Sequence, residues 1–170
     1  MTKVAVIGNA GGGKSTLCRR LSAARQLPLY VVDDLQWRPG WVQTPAEEFR
    51  RLHDAILEQE RWIIDGWGAR ACIEQRFEAA DTLILVDFPL YVHYCWALKR
   101  QFKSLLRPAA YGPADCPMWP VTWRLLKLMW TLHRTARPEL IALINRYTGR
   151  KAVIHLRSPR ELRRFMQANA

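Results

Sequence analysis

Residues 4–17, VAVIGNAGGGKSTL, decide how the rest of the chain is read. An apolar run leads into Gly8-Asn9-Ala10-Gly11-Gly12-Gly13-Lys14-Ser15, the phosphate-binding G-x-x-x-x-G-K-S pattern, and Thr16 and Leu17 continue into a helix-like segment. A strand before and a helix after are the setting that this pattern requires. Gly8, Gly11, Gly12 and Gly13 carry no Cβ, so the backbone can wrap a phosphate and turn several N–H groups inward. The helix that follows presents its partly positive N-terminus to the same anion. Lys14 supplies a mobile cation for the β- and γ-phosphates, and Ser15 a hydroxyl for Mg²⁺. Gly8, Asn9, Ala10, Gly11, Gly12, Gly13, Lys14, Ser15 and Thr16 are therefore the expected nucleotide-binding residues. Lys14 is the first candidate for catalysis, and ATP with Mg²⁺ is the expected ligand pair.

Outward from this loop, strand character recurs in short β-branched or apolar runs: Lys3–Gly8, 29–33, Trp62–Asp65, 82–87 and Ala152–Leu156. Helical spacing lies between them, over Lys14–Arg25 and over 46–59. The second of these opens at Thr44-Pro45-Ala46-Glu47, close to a capping box. Strands alternating with helices pair in parallel through right-handed crossovers. The expectation is a single three-layer α/β domain over 1–170, of the P-loop type, with a five-stranded parallel sheet. Residues 34–61 read as an acceptor-side insertion. Residues 91–147 lack strand character and read as a helical lid region, with helices over 91–106, 121–135 and 138–147 and an irregular tip over 109–120.

The net charge of +11 is unevenly placed, −1 over residues 1–90 and +12 over 91–170. Such a field attracts an anionic partner: nucleotide phosphates, nucleic acid or an acidic membrane surface. No uncharged apolar stretch is long enough to span a bilayer, because Asp87, Pro89 and His93 interrupt the nearest one, so no membrane partner is expected. With the motif this near Met1, no secretory or transit peptide is expected. The four cysteines show no C-x-x-C spacing and the histidines are scattered, which excludes a zinc set and fits reduced, mostly buried thiols in a cytoplasmic protein.

Three of the strand-like runs end in an acid: Asp33, Asp65 and Asp87. The carboxyl ends of parallel strands line the ligand crevice. Asp33 is the candidate for orienting or deprotonating an acceptor hydroxyl, with Asp34 as its substitute, since alternation along a strand would point the two to opposite faces. Asp65 closes an apolar run in the Walker-B manner and joins Ser15 as a candidate Mg²⁺ ligand; Asp87 ranks behind it. Trp37, Trp41 and Trp67 gather on the acceptor side, where an aromatic face is worth about 1–3 kcal/mol per stacked base. With eight tryptophans in one small domain, most are expected in the core.

The combination of GNAGGGKST, VVDDLQWRPGW, WIIDGWGAR, LILVDFP and RTARPEL resembles the FlaR-type "DNA topology modulation" proteins, small P-loop proteins related to adenylate kinase. The resemblance spans nearly the whole chain and implies the nucleoside-kinase form of the P-loop fold. A more distant similarity to nucleoside monophosphate kinases implies roles. Asp65-Gly66-Trp67-Gly68-Ala69-Arg70 resembles their D-G-F-P-R motif, with the arginine one position later, so Arg70 would hold an acceptor phosphate. Arg100, Lys103 and Arg107 fall where the lid would be, and Arg134 and Arg137 would be a second, catalytic pair of lid arginines. Arg157, with Ser158 and Pro159, occupies the place where such kinases hold adenine. The resulting expectation is a kinase passing the γ-phosphate of ATP to a small acceptor such as a nucleotide or nucleoside. The other reading is a nucleic-acid-associated P-loop protein that uses its basic C-terminal half.

Overall fold

The computed structural model describes residues 1–106 and 113–169. Arg107 and residues 109–112 of the expected lid tip lie outside them. The chain begins with β1 (Lys3–Gly8), α1 (Lys14–Arg25), β2 (Leu29–Val31), the five-residue α2 (Val32–Gln36) and a hairpin of β3 (Trp37–Arg38) and β4 (Val42–Gln43). It continues through α3 (Ala46–Leu57), β5 (Trp62–Asp65), α4 (Arg70–Ala79), β6 (Thr82–Val86) and α5 (Leu90–Leu106). The last elements are α6 (Thr122–Thr131), α7 (Arg137–Asn145), β7 (Ala152–Leu156) and α8 (Pro159–Ala168).

Five strands form one parallel sheet in the order β2-β5-β1-β6-β7. Both of its faces are covered, which is why β1, β5 and β6 read as continuous apolar runs. Alternate residues serve the two cores. Ala5, Ile7, Ile64 and Leu83 pack with Phe49 of α3, Phe77 of α4 and Leu140 of α7. Val4, Val6, Ile63 and Ile84 pack with Leu17 and Leu21 of α1 and Leu162 of α8. This is the three-layer α/β arrangement expected from the sequence. It sets the P-loop at the carboxyl end of the central strand, in the crevice where such sheets bind ligands.

Three local readings need correction. The second strand stops at Val31, and Asp33 and Asp34 stand in the first turn of α2 rather than on opposite faces of a strand. Their carboxylates suit that turn, because a helix N-terminus is partly positive. The helices expected over 121–135 and 138–147 form one nearly unbroken helical run. A 3₁₀ turn (Trp119–Val121) leads into α6, and a π turn (Leu132–Ala136) joins α6 to α7. Pro138 falls in the first turn of α7, where a missing N–H is tolerated. The tryptophans are mostly not core: Trp62 is fully buried, whereas Trp119, Trp123 and Trp130 are exposed. The cysteines are all free, with Cys18, Cys72 and Cys116 buried and Cys95 exposed. Among the described residues no helix is long and apolar enough to cross a membrane.

Candidate active site

The loop after β1 is pressed against its neighbours so closely that side chains are excluded. A Cβ on Gly8 (φ 148°) would lie 2.1 Å from the Val86 carbonyl oxygen, and one on Gly11 (φ 68°) 2.2 Å from that of His93. His93, from α5, is the prop beneath the loop. Its Nδ1 lies 2.9 Å from the Ala10 carbonyl, and its Nε2 accepts from the Phe88 N–H at 3.1 Å. Those two partners fix the tautomer with the proton on Nδ1. Burial drives its pKa down to about 4; the Ala10 hydrogen bond opposes this, and Lys14 reinforces it. Asn9 ties the loop to α6, its Nδ2 donating to the Met129 carbonyl at 2.8 Å. Trp67 Nε1 donates to the Gly8 carbonyl at 2.8 Å, and Lys14 Nζ to that of Asn9 at 2.9 Å.

His93 escaped the sequence reading, although its intrusion into an apolar helical run was the signal. We expect His93→Leu to cost about 1–3 kcal/mol, because the Phe88 N–H and the Ala10 carbonyl lose their partner. The pH dependence follows from linkage. The unfolded ring binds a proton near pH 6.5 and the folded ring only near pH 4, so native stability falls as pH drops across that window. Urea unfolding at pH 7 and at pH 4.5 should show this fall in the parent protein. The leucine variant should lack that part of it, on the order of 2–3 kcal/mol.

Behind the loop, the Ser15 hydroxyl donates to Asp65 Oδ2 at 2.8 Å. Asp65 is buried, and its Oδ1 has no hydrogen-bond partner among the described residues. The turn after Asp65 is held by Arg76, also fully buried, which donates to the carbonyls of Gly66 at 2.7 Å and Trp67 at 2.6 Å. Burial lowers the Arg76 pKa to about 10, with Cys72 and Asp65 opposing the shift. Nothing in ACIEQRF marks that arginine as buried, so it too was missed.

Asp33, Asp65, Lys14 and Arg100 form one electrostatic cluster. Asp33 keeps exposed surface, yet protein crowds round it. That burial raises its carboxyl pKa, Lys14 opposes the rise, Asp65 adds to it and Arg100 opposes it. Asp34 is raised as well, by burial and then by Asp33 and Asp65. Burial lowers the Arg100 pKa, and Asp33 and Asp65 oppose that; its Nε is buried with no partner among the described residues. Of Arg100 and Lys103, the two described cations expected at the lid, Arg100 is the one coupled electrostatically to both acids.

The remaining candidates are placed differently. Arg137 grips Asp87 in a bidentate pair, Nε to Oδ1 at 2.5 Å and Nη2 to Oδ2 at 2.9 Å, and His155 Nε2 lies 2.9 Å from the same carboxylate. Burial alone would raise Asp87, but the hydrogen bonds from Arg137 and His155 outweigh it and hold the carboxyl below its usual range. Asp87 is thereby a structural anchor for Arg137. The two line an open cleft of about 530 Å³ with Phe88, His133, His155 and Arg157. The Arg157 N–H donates to Glu161 Oε2 at 2.8 Å, and Ser158 caps α8, so that backbone donor of the expected adenine loop is engaged in capping. Arg134 is exposed, its guanidinium 5.5 Å above the Trp130 ring. Arg70 opens α4 at the surface and pairs with Glu139 and Glu74, all three side chains exposed. Trp37 and Trp41 meet edge-on at 5.6 Å in the hairpin, and Trp41 Nε1 donates to the Pro117 carbonyl at 2.9 Å.

No family model and no curated protein sequence matches the chain. Its fold is similar to that of solved kinases. A shikimate kinase from Acinetobacter baumannii, solved with shikimate, superposes with a TM-score of 0.60 at 15% identity, covering 99% of this chain and 90% of that one. A sugar kinase from a Janibacter species gives a TM-score of 0.51 at 14% identity, covering 96% and 91%. The class that fold and loop define together is the kinase-like P-loop α/β fold.

Proposed function

We propose that the chain is an ATP- and Mg²⁺-dependent kinase that transfers the γ-phosphate to a hydroxyl of a small acceptor. The observation that carries this reading is the cluster at the loop: Asp33 sits within electrostatic reach of Lys14, and Asp33 and Arg100 both sit within reach of Asp65 of the Ser15–Asp65 pair. A carboxylate beside Lys14 is the group that activation of an acceptor hydroxyl requires. The kinase neighbours, which share the fold, agree with the reading.

The residues fit Mg²⁺. Ser15 and Asp65 are hard oxygen donors, the free Asp65 Oδ1 is an orphaned buried acceptor, and Mg²⁺ keeps water and phosphate oxygens for its other positions. No group of three His, Cys, Asp or Glu residues able to hold a metal by itself occurs among the described residues. When bound, the ion would neutralise phosphate charge. The loop N–H groups and Lys14 would hold the β- and γ-phosphates, and Arg100 would approach the transferred group from α5. Asp33 would orient the acceptor hydroxyl and take its proton, a task that its raised pKa suits. The cleft beside Asp87, Arg137 and Arg157 would take the base. The FlaR-type resemblance and the cytoplasmic setting belong to the same proposal.

A phosphate-transfer screen with ATP·Mg²⁺ over nucleosides, nucleoside monophosphates, small polyols and 5′-hydroxyl oligonucleotides tests it. Transfer to one hydroxyl acceptor well above the ATPase background is expected. Hydrolysis of ATP with no acceptor in any class would refute the kinase reading. Transfer confined to oligonucleotides would favour the nucleic-acid reading of the basic half.

A further inference from the structure

The helices that follow the site carry a surface for which phosphoryl transfer has no use. On α5, Leu98, Phe102 and Leu105 recur at helical spacing, all exposed. Opposite them Trp119, Trp123 and Trp130 are exposed along α6 and the 3₁₀ turn before it, Trp123 to 78%. The Phe102 and Trp119 rings touch, with centroids 5.7 Å apart, and the Tyr94 hydroxyl reaches the Leu126 carbonyl at 3.3 Å. The two helices thus lie side by side, and their apolar stripes join into one patch. Lys99 and Lys103 follow the patch along α5, and Arg124 and Lys127 along α6; all four are exposed. Neither helix contains an acidic residue.

We propose that this α5–α6 face docks on an anionic lipid surface. The chemistry discriminates among occupants. A second copy applied face to face would bring basic residues against basic residues, with no acid on either helix to relieve them. Nucleic acid would use the charge, but the aliphatic Leu98, Leu105 and Leu128 offer nothing to phosphates and little to bases. A bilayer interface uses every component: tryptophan rings at headgroup level, leucine and phenylalanine in the acyl boundary, lysine and arginine at anionic headgroups. α5 is 17 residues long and is not a membrane span, so the mode is lying on the surface rather than crossing it. This departs from the expectation of no membrane partner and gives a role to four of the basic residues of the C-terminal half, Lys99, Lys103, Arg124 and Lys127. It stands independently of the identity of the phosphate acceptor.

The test uses the whole chain with vesicles of pure phosphatidylcholine and of phosphatidylcholine mixed with phosphatidylglycerol. The protein should cosediment with the mixed vesicles, with a blue shift in tryptophan emission, and not with the neutral ones. Trp123→Ser with Trp130→Ser, and separately Lys99→Glu with Lys127→Glu, should each weaken partition at least about tenfold. Unchanged melting and nucleotide binding would show that the folded P-loop domain is retained. Absence of binding to the mixed vesicles overturns the proposal, as does binding that both double variants leave intact. A dimer that the tryptophan changes convert to monomer, or oligonucleotide binding that the lysine changes abolish, with no vesicle binding in either case, also overturns it and names the other occupant.

Discussion

Lys14→Ala should lower phosphoryl transfer by at least about 10²–10³-fold while leaving the melting temperature nearly unchanged. Among the described residues its ammonium makes one hydrogen bond, to the Asn9 carbonyl, and its side chain belongs to neither core, so truncation removes little that holds the fold together. What it removes is a positive charge aimed at the β- and γ-phosphates, where charge is redistributed as the phosphoryl group moves. Transfer of labelled γ-phosphate, beside circular dichroism of the same sample, measures both quantities. Near-parental turnover with ATP·Mg²⁺ would remove the loop from the catalytic machinery.

Asp33→Asn should keep nucleotide binding and reduce turnover by about 10²–10⁴-fold, the range for losing a general base. The amide preserves shape and the first turn of α2 but cannot take a proton. The pH profile separates catalysis from capping. Because burial raises the folded pKa of Asp33 above 3.8, the acid limb of turnover in the parent should fall at a pH above that value. The asparagine variant should lose this limb along with the rate. Equal rates in the two proteins would reduce Asp33 to a helix-start residue.

The contrast between what the sequence revealed and what it concealed has a physical basis. The strands β1, β5 and β6 were legible because a parallel strand buried on both faces must be apolar throughout, and the loop because a phosphate cradle constrains composition residue by residue. The acid pair after β2 was misplaced because α2 has only five residues, too few for a 3.6-residue period to appear. The break expected between 135 and 138 was overestimated because a π turn joins α6 to α7, a rearrangement without a compositional mark. His93 and the Asp87–Arg137 clasp depend on partners far away in the chain, and Arg76 on carbonyls nine and ten positions before it. Two of these bond only to backbone groups, which every residue possesses, so no pairing signal exists to read. The tryptophan reading failed for a different reason. Average burial describes a domain that satisfies its own apolar surface, and the α5–α6 pair leaves its surface open.

The bond from Asn9 to the Met129 carbonyl has a consequence for modularity. Phosphate loops are often treated as interchangeable cassettes, since their backbone does most of the binding. Here the second residue of the loop is fastened to the helix run immediately before its π turn, 120 positions away. A nucleotide that tightens the loop should therefore also slow amide exchange near Met129, and by reciprocity a ligand that binds that helix and is tightened by nucleotide should tighten nucleotide by the same factor. A loop transplanted from another kinase, perfect in its glycines and lysine but lacking this asparagine, would bind phosphate and lose that linkage.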